Sequence, residues 1–117
     1  MKVMIVDDDP HVLRYYKEEL EDEQYDVVTA SSAKEAMEIF ERENPDIVTL
    51  DIVMPDMDGI SVLRWMKERK PNIPVIMSTA YDYKDDFAVW ASEAYVVKSH
   101  DMSTLKATIK RLLDKQQ

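Results

Sequence analysis

Carboxylates follow two apolar segments that have the composition of buried strands. The segment 47–50 (IVTL) runs into Asp51, and the segment 3–6 (VMIV) runs into three aspartates at 7–9. If the two strands are parallel neighbours, these carboxylates meet at one edge of the sheet, where folds of this kind bind their ligands. Carboxylates gathered in one place repel each other unless a cation or a chemical task offsets the cost. The spacing therefore predicts a divalent metal ion beside a reactive carboxylate.

The composition restricts the classes of protein and partner. The chain has 117 residues, which suits one compact domain, so we expect a single domain over 1–117. A net charge of −9 disfavours binding to nucleic acid or anionic lipid, and a cation or a protein partner fits better. The absence of cysteine excludes disulfides and thiolate catalysis. No apolar stretch reaches the roughly 20 residues of a membrane helix, and the first residues do not resemble a secretory signal, so we predict a cytoplasmic location.

Strand and helix patterns alternate along the chain. Strands are predicted at 3–6, 26–29, 47–50, 74–78 and 94–97. Helices are predicted after the capping residues Asp9 and Ser32, over about 60–70, through Phe87 and Trp90, and from near Met102. This alternation predicts an α/β fold, a doubly wound five-stranded parallel sheet of five βα units between two layers of helices.

Gly59 is the only glycine in the chain. Turns that require positive φ elsewhere must then use a costlier residue such as Asn or Asp. We expect the glycine itself to mark a tight loop after Asp51.

Residues at the ends of successive predicted strands carry a resemblance to a known family. They are Asp7-Asp8 after the first strand, Asp51 after the third, Thr79-Ala80 after the fourth and Lys98 after the fifth, with DIVMPDMDG at 51–59. In this order and spacing, and over essentially its whole length, the chain resembles the CheY-like receiver domain of two-component response regulators. The resemblance implies the (βα)5 flavodoxin-like three-layer sandwich.

The resemblance also implies a reaction. Asp51 would be the nucleophile that accepts a phosphoryl group and becomes an acyl phosphate. Mg²⁺ (or Mn²⁺) would gather the anionic donor and acceptor, held by Asp8, Asp51 and the backbone carbonyl of Val53, with Asp7 in an outer or water-mediated place.

Further residues receive roles from the same resemblance. Lys98 would neutralise charge on the phosphoryl oxygens, Thr79 would hydrogen-bond the attached group, and Tyr95 would be the aromatic that rotates in response. Taken singly, the lysine and the threonine are ordinary surface and strand-end residues, and the tyrosine an ordinary strand aromatic. Val12 and Tyr15 on the first helix are either plain packing residues or an apolar patch that docks a kinase.

The chain departs from the family pattern at three places. Ser99 follows Lys98 where the family usually has proline after a cis peptide bond, so we expect this loop to be trans or strained. Glu93-Ala94 stands where a glycine commonly precedes the fifth strand. The stretch from Thr79 to Lys98 is about one helical turn shorter than usual, which predicts a shortened or distorted fourth helix.

Three functions follow from these residues. The first is a stand-alone phosphoacceptor, a monomer or weak dimer, which receives its phosphoryl group from a sensor histidine kinase or a histidine phosphotransfer domain and then binds a downstream protein target. It would have no enzymatic activity beyond its own phosphorylation and dephosphorylation. The second is an interaction module that no longer switches, or a receiver fragment of a longer regulator. The third, an aspartyl-phosphate hydrolase, is disfavoured because Val53 stands where a second acid is needed.

Overall fold

The computed structural model describes residues 1–79, 94–97 and 101–115. The strands in these ranges are β1 (Lys2–Val6), β2 (Asp26–Ala30), β3 (Ile47–Asp51), β4 (Val75–Thr79) and β5 (Ala94–Val97). The helices are α1 (Pro10–Asp22), α2 (Ala33–Glu43), α3 (Gly59–Arg69) and α4 (Ser103–Asp114). Each lies at its predicted place, and the bounds differ by at most two residues. The predicted short helix through Phe87 and Trp90 lies outside the described residues, as do Glu93 and the Lys98-Ser99 bond.

The strands form one sheet in the order β2-β1-β3-β4-β5, and every pairing is parallel. Alternate strand residues face opposite sides of the sheet, which divides the core in two. On one side, Met4, Leu50 and Met77 pack with residues of α2 and α3. On the other side, Ile5 and Ile76 pack with residues of α1 and α4. The predicted doubly wound, three-layer fold is therefore confirmed.

The predicted capping residues begin their helices. The Asp9 carboxylate accepts a hydrogen bond from the His11 N–H at 2.9 Å, which caps α1. The Ser32 hydroxyl accepts one from the Glu35 N–H at 3.1 Å, which caps α2. The Glu35 carboxylate reaches the N–H of Ser31 at 3.0 Å, one residue before the capping serine.

Among the described residues, positive φ occurs at two residues other than glycine, as expected. Asn44 has φ 48° at the end of α2, as expected for that residue type, but the second such residue described is Gln24, at φ 69°. Gly59 does not have positive φ. Its N–H donates to the Ile52 carbonyl at 2.6 Å, and a Cβ atom at this position would lie 2.0 Å from the Asp51 carbonyl oxygen. The start of α3 is thus pressed against the end of β3, and only glycine leaves room for that contact.

We expect Gly59→Ala to lower the free energy of unfolding by about 2 kcal/mol or more, because the added methyl group forces backbone atoms apart. Urea unfolding followed by circular dichroism measures the loss. Gln24→Gly is the matched control, since it relieves positive φ at a site without that contact and should leave stability unchanged or raise it. A Gly59→Ala variant as stable as the native chain would contradict the packing explanation.

Candidate functional site

Three carboxylates meet at the carboxyl edge of the sheet. Val6 of β1 pairs with Leu50 of β3, so the residues that follow them lie side by side. Carboxylate oxygens of Asp7, Asp8 and Asp51 all lie within 4.8 Å of one another. Asp7 and Asp51 are 2% and 4% exposed, whereas Asp8 is exposed to solvent. The parallel register therefore brings these acids together as the sequence predicts.

The arrangement fits a small divalent cation. Buried negative charges at this separation repel each other by an amount on the order of a few kcal/mol. Mg²⁺ takes oxygen ligands and keeps several of its waters, so a cluster of one exposed and two buried carboxylates can bind it partly directly and partly through water. The donor set, oxygen only, excludes the soft ligands that copper or iron–sulfur centres require.

Backbone amides hold the two buried acids. The Asp7 Oδ1 atom accepts a hydrogen bond from the Asp9 N–H at 2.9 Å, and the Asp7 N–H donates to the Ala30 carbonyl of β2 at 3.1 Å. The Asp51 Oδ1 atom accepts from the Val53 N–H at 3.3 Å. Each carboxylate is thus bonded to the amide two residues further on, a local turn that fixes its orientation.

Two further aspartates anchor the loop between β3 and α3. The two Asp56 carboxylate oxygens accept hydrogen bonds from the N–H groups of Ala33 and Lys34, at 3.0 and 3.1 Å. These bonds to the first turn of α2 hold the pKa of Asp56 below its usual range. Asp58 caps α3 by accepting from the Ser61 N–H at 2.8 Å, and this bond likewise lowers the pKa of Asp58.

Sequence patterns gave no role to Asp56 and Asp58. The signal for Asp58 was available, because an aspartate directly before a helical pattern is a common cap. Asp56 had no local signal, since its partners lie 22 and 23 residues away and α2 already has Ser32 as its cap.

Three of the other predicted site residues, Thr79, Tyr95 and Val53, lie among the described residues. Thr79 ends β4 and pairs with Val97 at the end of β5, and Tyr95 pairs with Met77. Both strands therefore finish at the edge that carries the acids. Val53 lies in the loop after Asp51 with its side chain 48% exposed. Lys98 lies outside the described residues.

The predicted docking residues differ in exposure. Tyr15 is 38% exposed on α1, and its ring lies 6.2 Å from that of Tyr16. Val12 is half-buried and packs against the core between α1 and the sheet. The exposed surface of the patch formed by Val12 and Tyr15 therefore comes mainly from Tyr15.

Comparison with known protein families identifies the family of this chain. A family model described as "Response regulator receiver domain" matches residues 3–110. The chain belongs to the response regulator receiver domain family. Of the curated proteins, the alkaline phosphatase synthesis transcriptional regulatory protein PhoP of Bacillus subtilis is 32% identical over 115 residues, or 96% of this chain and 48% of its own. This receiver domain thus spans about half the length of the curated relatives it matches.

Solved structures of a response regulator are similar to this chain in sequence and in fold. The response regulator TrrA of Thermotoga maritima, in complex with Mg²⁺-BeF, is 38% identical with a TM-score of 0.91, over 95% of this chain and 97% of that one. TrrA in complex with the histidine kinase ThkA is 39% identical with a TM-score of 0.90, over 96% and 97% of the two chains. In the part of the receiver domain that the structure describes, no helix is long and apolar enough to cross a membrane.

The carboxylate cluster predicts opposite effects of one substitution with and without metal. Asp8→Asn removes one of three repelling charges and should raise the free energy of unfolding by about 1 kcal/mol in the absence of divalent ions. In the native chain, Mg²⁺ at about ten times its Kd should add about 1.4 kcal/mol, and the variant should lose most of this gain. Chemical unfolding with Mg²⁺ and with a chelator measures both effects.

Asp26→Asn serves as the control for this comparison, because Asp26 is an exposed acid at the opposite end of the sheet. It should keep the full response to Mg²⁺. If Asp8→Asn keeps it too, the three acids do not form the metal site.

The bonds from Asp56 predict a pH-dependent contribution to stability. Its pKa is lowered in the folded chain, so the contribution is present at neutral pH and is lost as pH falls through the folded-state pKa. Asp56→Ala should lower Tm by a few degrees at pH 7, and the Tm values of the native chain and the variant should converge once pH has fallen below the folded-state pKa of Asp56. Asp56→Asn, which keeps one acceptor oxygen, should lie between them. A difference that does not change with pH would show that charge is not involved.

Proposed function

We propose that this receiver domain is a phosphoacceptor switch in two-component signalling and that Asp51 is the residue phosphorylated. The observation that supports it most directly is the position of Asp51, buried at the carboxyl end of β3 with oxygens of Asp7 and Asp8 within 4.8 Å. A buried acid beside two others costs stability, because the charges repel each other. A site that receives a cation and an anionic phosphoryl group explains the arrangement.

The chemistry is an in-line displacement at phosphorus. An Asp51 carboxylate oxygen attacks the phosphorus of a phosphohistidine or of a small acyl phosphate, and the new O–P bond forms as the bond to the leaving group breaks. The leaving group departs with the electron pair. The hydrogen bond from the Val53 N–H to Asp51 Oδ1 holds the plane of the carboxylate during the attack.

Mg²⁺, or Mn²⁺, is the cofactor of this proposal, and it would neutralise charge between donor and acceptor. Asp8 and Asp51 would bind it directly with the backbone carbonyl of Val53, and Asp7 would bind through water. The contact of Gly59 with the Asp51 carbonyl supports this set, because it fixes the loop that carries Val53. The Mg²⁺-BeF complex of TrrA is consistent with it.

Three more residues complete the proposed switch. Thr79 would bind the phosphoryl group and Lys98 would neutralise its charge, after which Tyr95 would change position. The strand ends support these roles, since β4 ends at Thr79 and β5 ends one residue before Lys98, at the edge that carries the acids.

The proposed partners are a sensor histidine kinase or a histidine phosphotransfer domain as donor and a downstream protein as target, in the cytoplasm. The complex of TrrA with the kinase ThkA supports a kinase partner. Tyr15 and Val12 on α1 would contribute to that contact. We further propose that 1–117 forms one domain, monomeric or weakly dimeric, whose only enzymatic chemistry is on its own phosphoryl group.

The test is intact mass spectrometry after incubation with acetyl phosphate and Mg²⁺. We expect a mass increase of one phosphoryl group in the native chain, absent with a chelator and absent in Asp51→Asn. Asp26→Asn is the control, since it removes the same single charge from an exposed acid at the opposite end of the sheet. Failure of the native chain to gain the group under any condition would instead support the interaction module that does not switch.

A further inference from the structure

A buried hydroxyl group lies next to the proposed phosphoacceptor. Ser78 on β4 is 4% exposed, and its Oγ atom has no hydrogen-bond partner. Among the described residues it is the one buried side-chain nitrogen or oxygen in this condition. Leaving such a group unsatisfied lowers stability, so the hydroxyl needs an explanation.

The sheet register places this hydroxyl in the row of Asp51. Ser78 pairs with Asp51 across β4 and β3, and residues paired in this way have their side chains on the same face of the sheet. The packing confirms the face, because Ile76 and Ile47, two and four residues earlier on these strands, lie in the same core cluster with Ile5 of β1. Asp7 follows Ile5 by two residues and continues the row. Neighbouring strands lie about 4.8 Å apart, within reach of a side-chain hydroxyl and a group on the next strand.

We propose that the Ser78 hydroxyl is a ligand of the phosphoryl group on Asp51, donating a hydrogen bond to one of its oxygens. This inference rests on the proposed function. Phosphorylation adds three acceptor oxygens and negative charge beside a donor that has no acceptor before the reaction. The unsatisfied hydroxyl destabilises the unphosphorylated chain, and its pairing in the phosphorylated chain removes that cost. Ser78 therefore shifts the balance toward the phosphorylated form.

Two predictions follow, one about the lifetime of the acyl phosphate and one about the binding of a phosphoryl analogue. Its hydrolysis breaks the bond between phosphorus and the Asp51 oxygen when water attacks phosphorus, yielding inorganic phosphate and the free carboxylate. A ligand that stabilises the bound group slows this loss. A phosphoryl analogue should for the same reason bind less tightly when the hydroxyl is removed, although Mg²⁺ alone should bind equally well.

The experiment uses Ser78→Ala with beryllofluoride as the analogue. Affinity for beryllofluoride at saturating Mg²⁺, followed by fluorine NMR, should fall on the order of tenfold, as expected for one hydrogen bond to a charged group. The acyl phosphate formed from acetyl phosphate should be lost faster by a similar factor. The Mg²⁺ affinity should not change, and the free energy of unfolding of the unphosphorylated variant should be equal or higher, since an unsatisfied group has been removed.

Two variants separate this role from a general effect on the core. Ser78→Thr retains the hydroxyl and should recover tighter beryllofluoride binding than the alanine variant. Thr49→Val removes a buried hydroxyl from the same face of the sheet, one row deeper on β3, and should leave beryllofluoride affinity unchanged.

The outcomes are distinct. If Ser78→Ala binds beryllofluoride as tightly as the native chain and retains its phosphoryl group as long, the inference is wrong and the proposed function stands. The inference is also wrong if Mg²⁺ affinity and stability fall together with beryllofluoride affinity. If the native chain neither binds the analogue nor accepts a phosphoryl group, the proposed function itself fails.

Discussion

The parallel register of β1, β3 and β4 is the constraint on which the site depends. Pairing of Val6 with Leu50 and of Asp51 with Ser78 fixes which side chains share the carboxyl edge. A shift of one residue in a strand would exchange its two faces, moving Asp51 to the side of the helices α2 and α3. Such a shift would also expose the apolar rows of the core. The packing that stabilises the sheet therefore also fixes the positions of the acids at the ends of its strands.

The loop after β3 is held by several contacts in addition to the pairing of the strands. Gly59 lies against the Asp51 carbonyl, Asp56 binds the first turn of α2, and Asp58 caps α3. The side chains of Val53 and Met57 in this loop are exposed, whereas those of Ile52 and Met54 are buried in the core shared with α2 and α3. Its shape therefore comes from this apolar packing together with the polar bonds and one close backbone contact. These bonds connect the loop that follows Asp51 to the first turns of α2 and α3.

The fold could be predicted from the sequence because its signals are local. Continuous apolar runs, the caps at Asp9 and Ser32, and acids at strand ends each lie within a few residues of the element they define. The acid cluster followed from the parallel order of strands. The role of Asp56 was not predictable, since the bonds join residues far apart in the chain. Gly59 was assigned to the right loop for the wrong reason: the need for a close contact is visible only when β3 and α3 are placed together.

Ser78 shows why a functional residue can conflict with the pattern of the strand around it. Val75, Ile76 and Met77 are fully buried apolar residues, and an apolar side chain at the next position would continue the core without an unsatisfied hydroxyl. If a phosphoryl oxygen accepts the hydrogen bond of Ser78 in the phosphorylated form, the unsatisfied hydroxyl destabilises only the unphosphorylated form. In a two-state switch such a cost is useful, because destabilising one state shifts the population toward the other by the same free energy. A polar residue in the same row as Asp51 would thus favour the phosphorylated form over the unphosphorylated one.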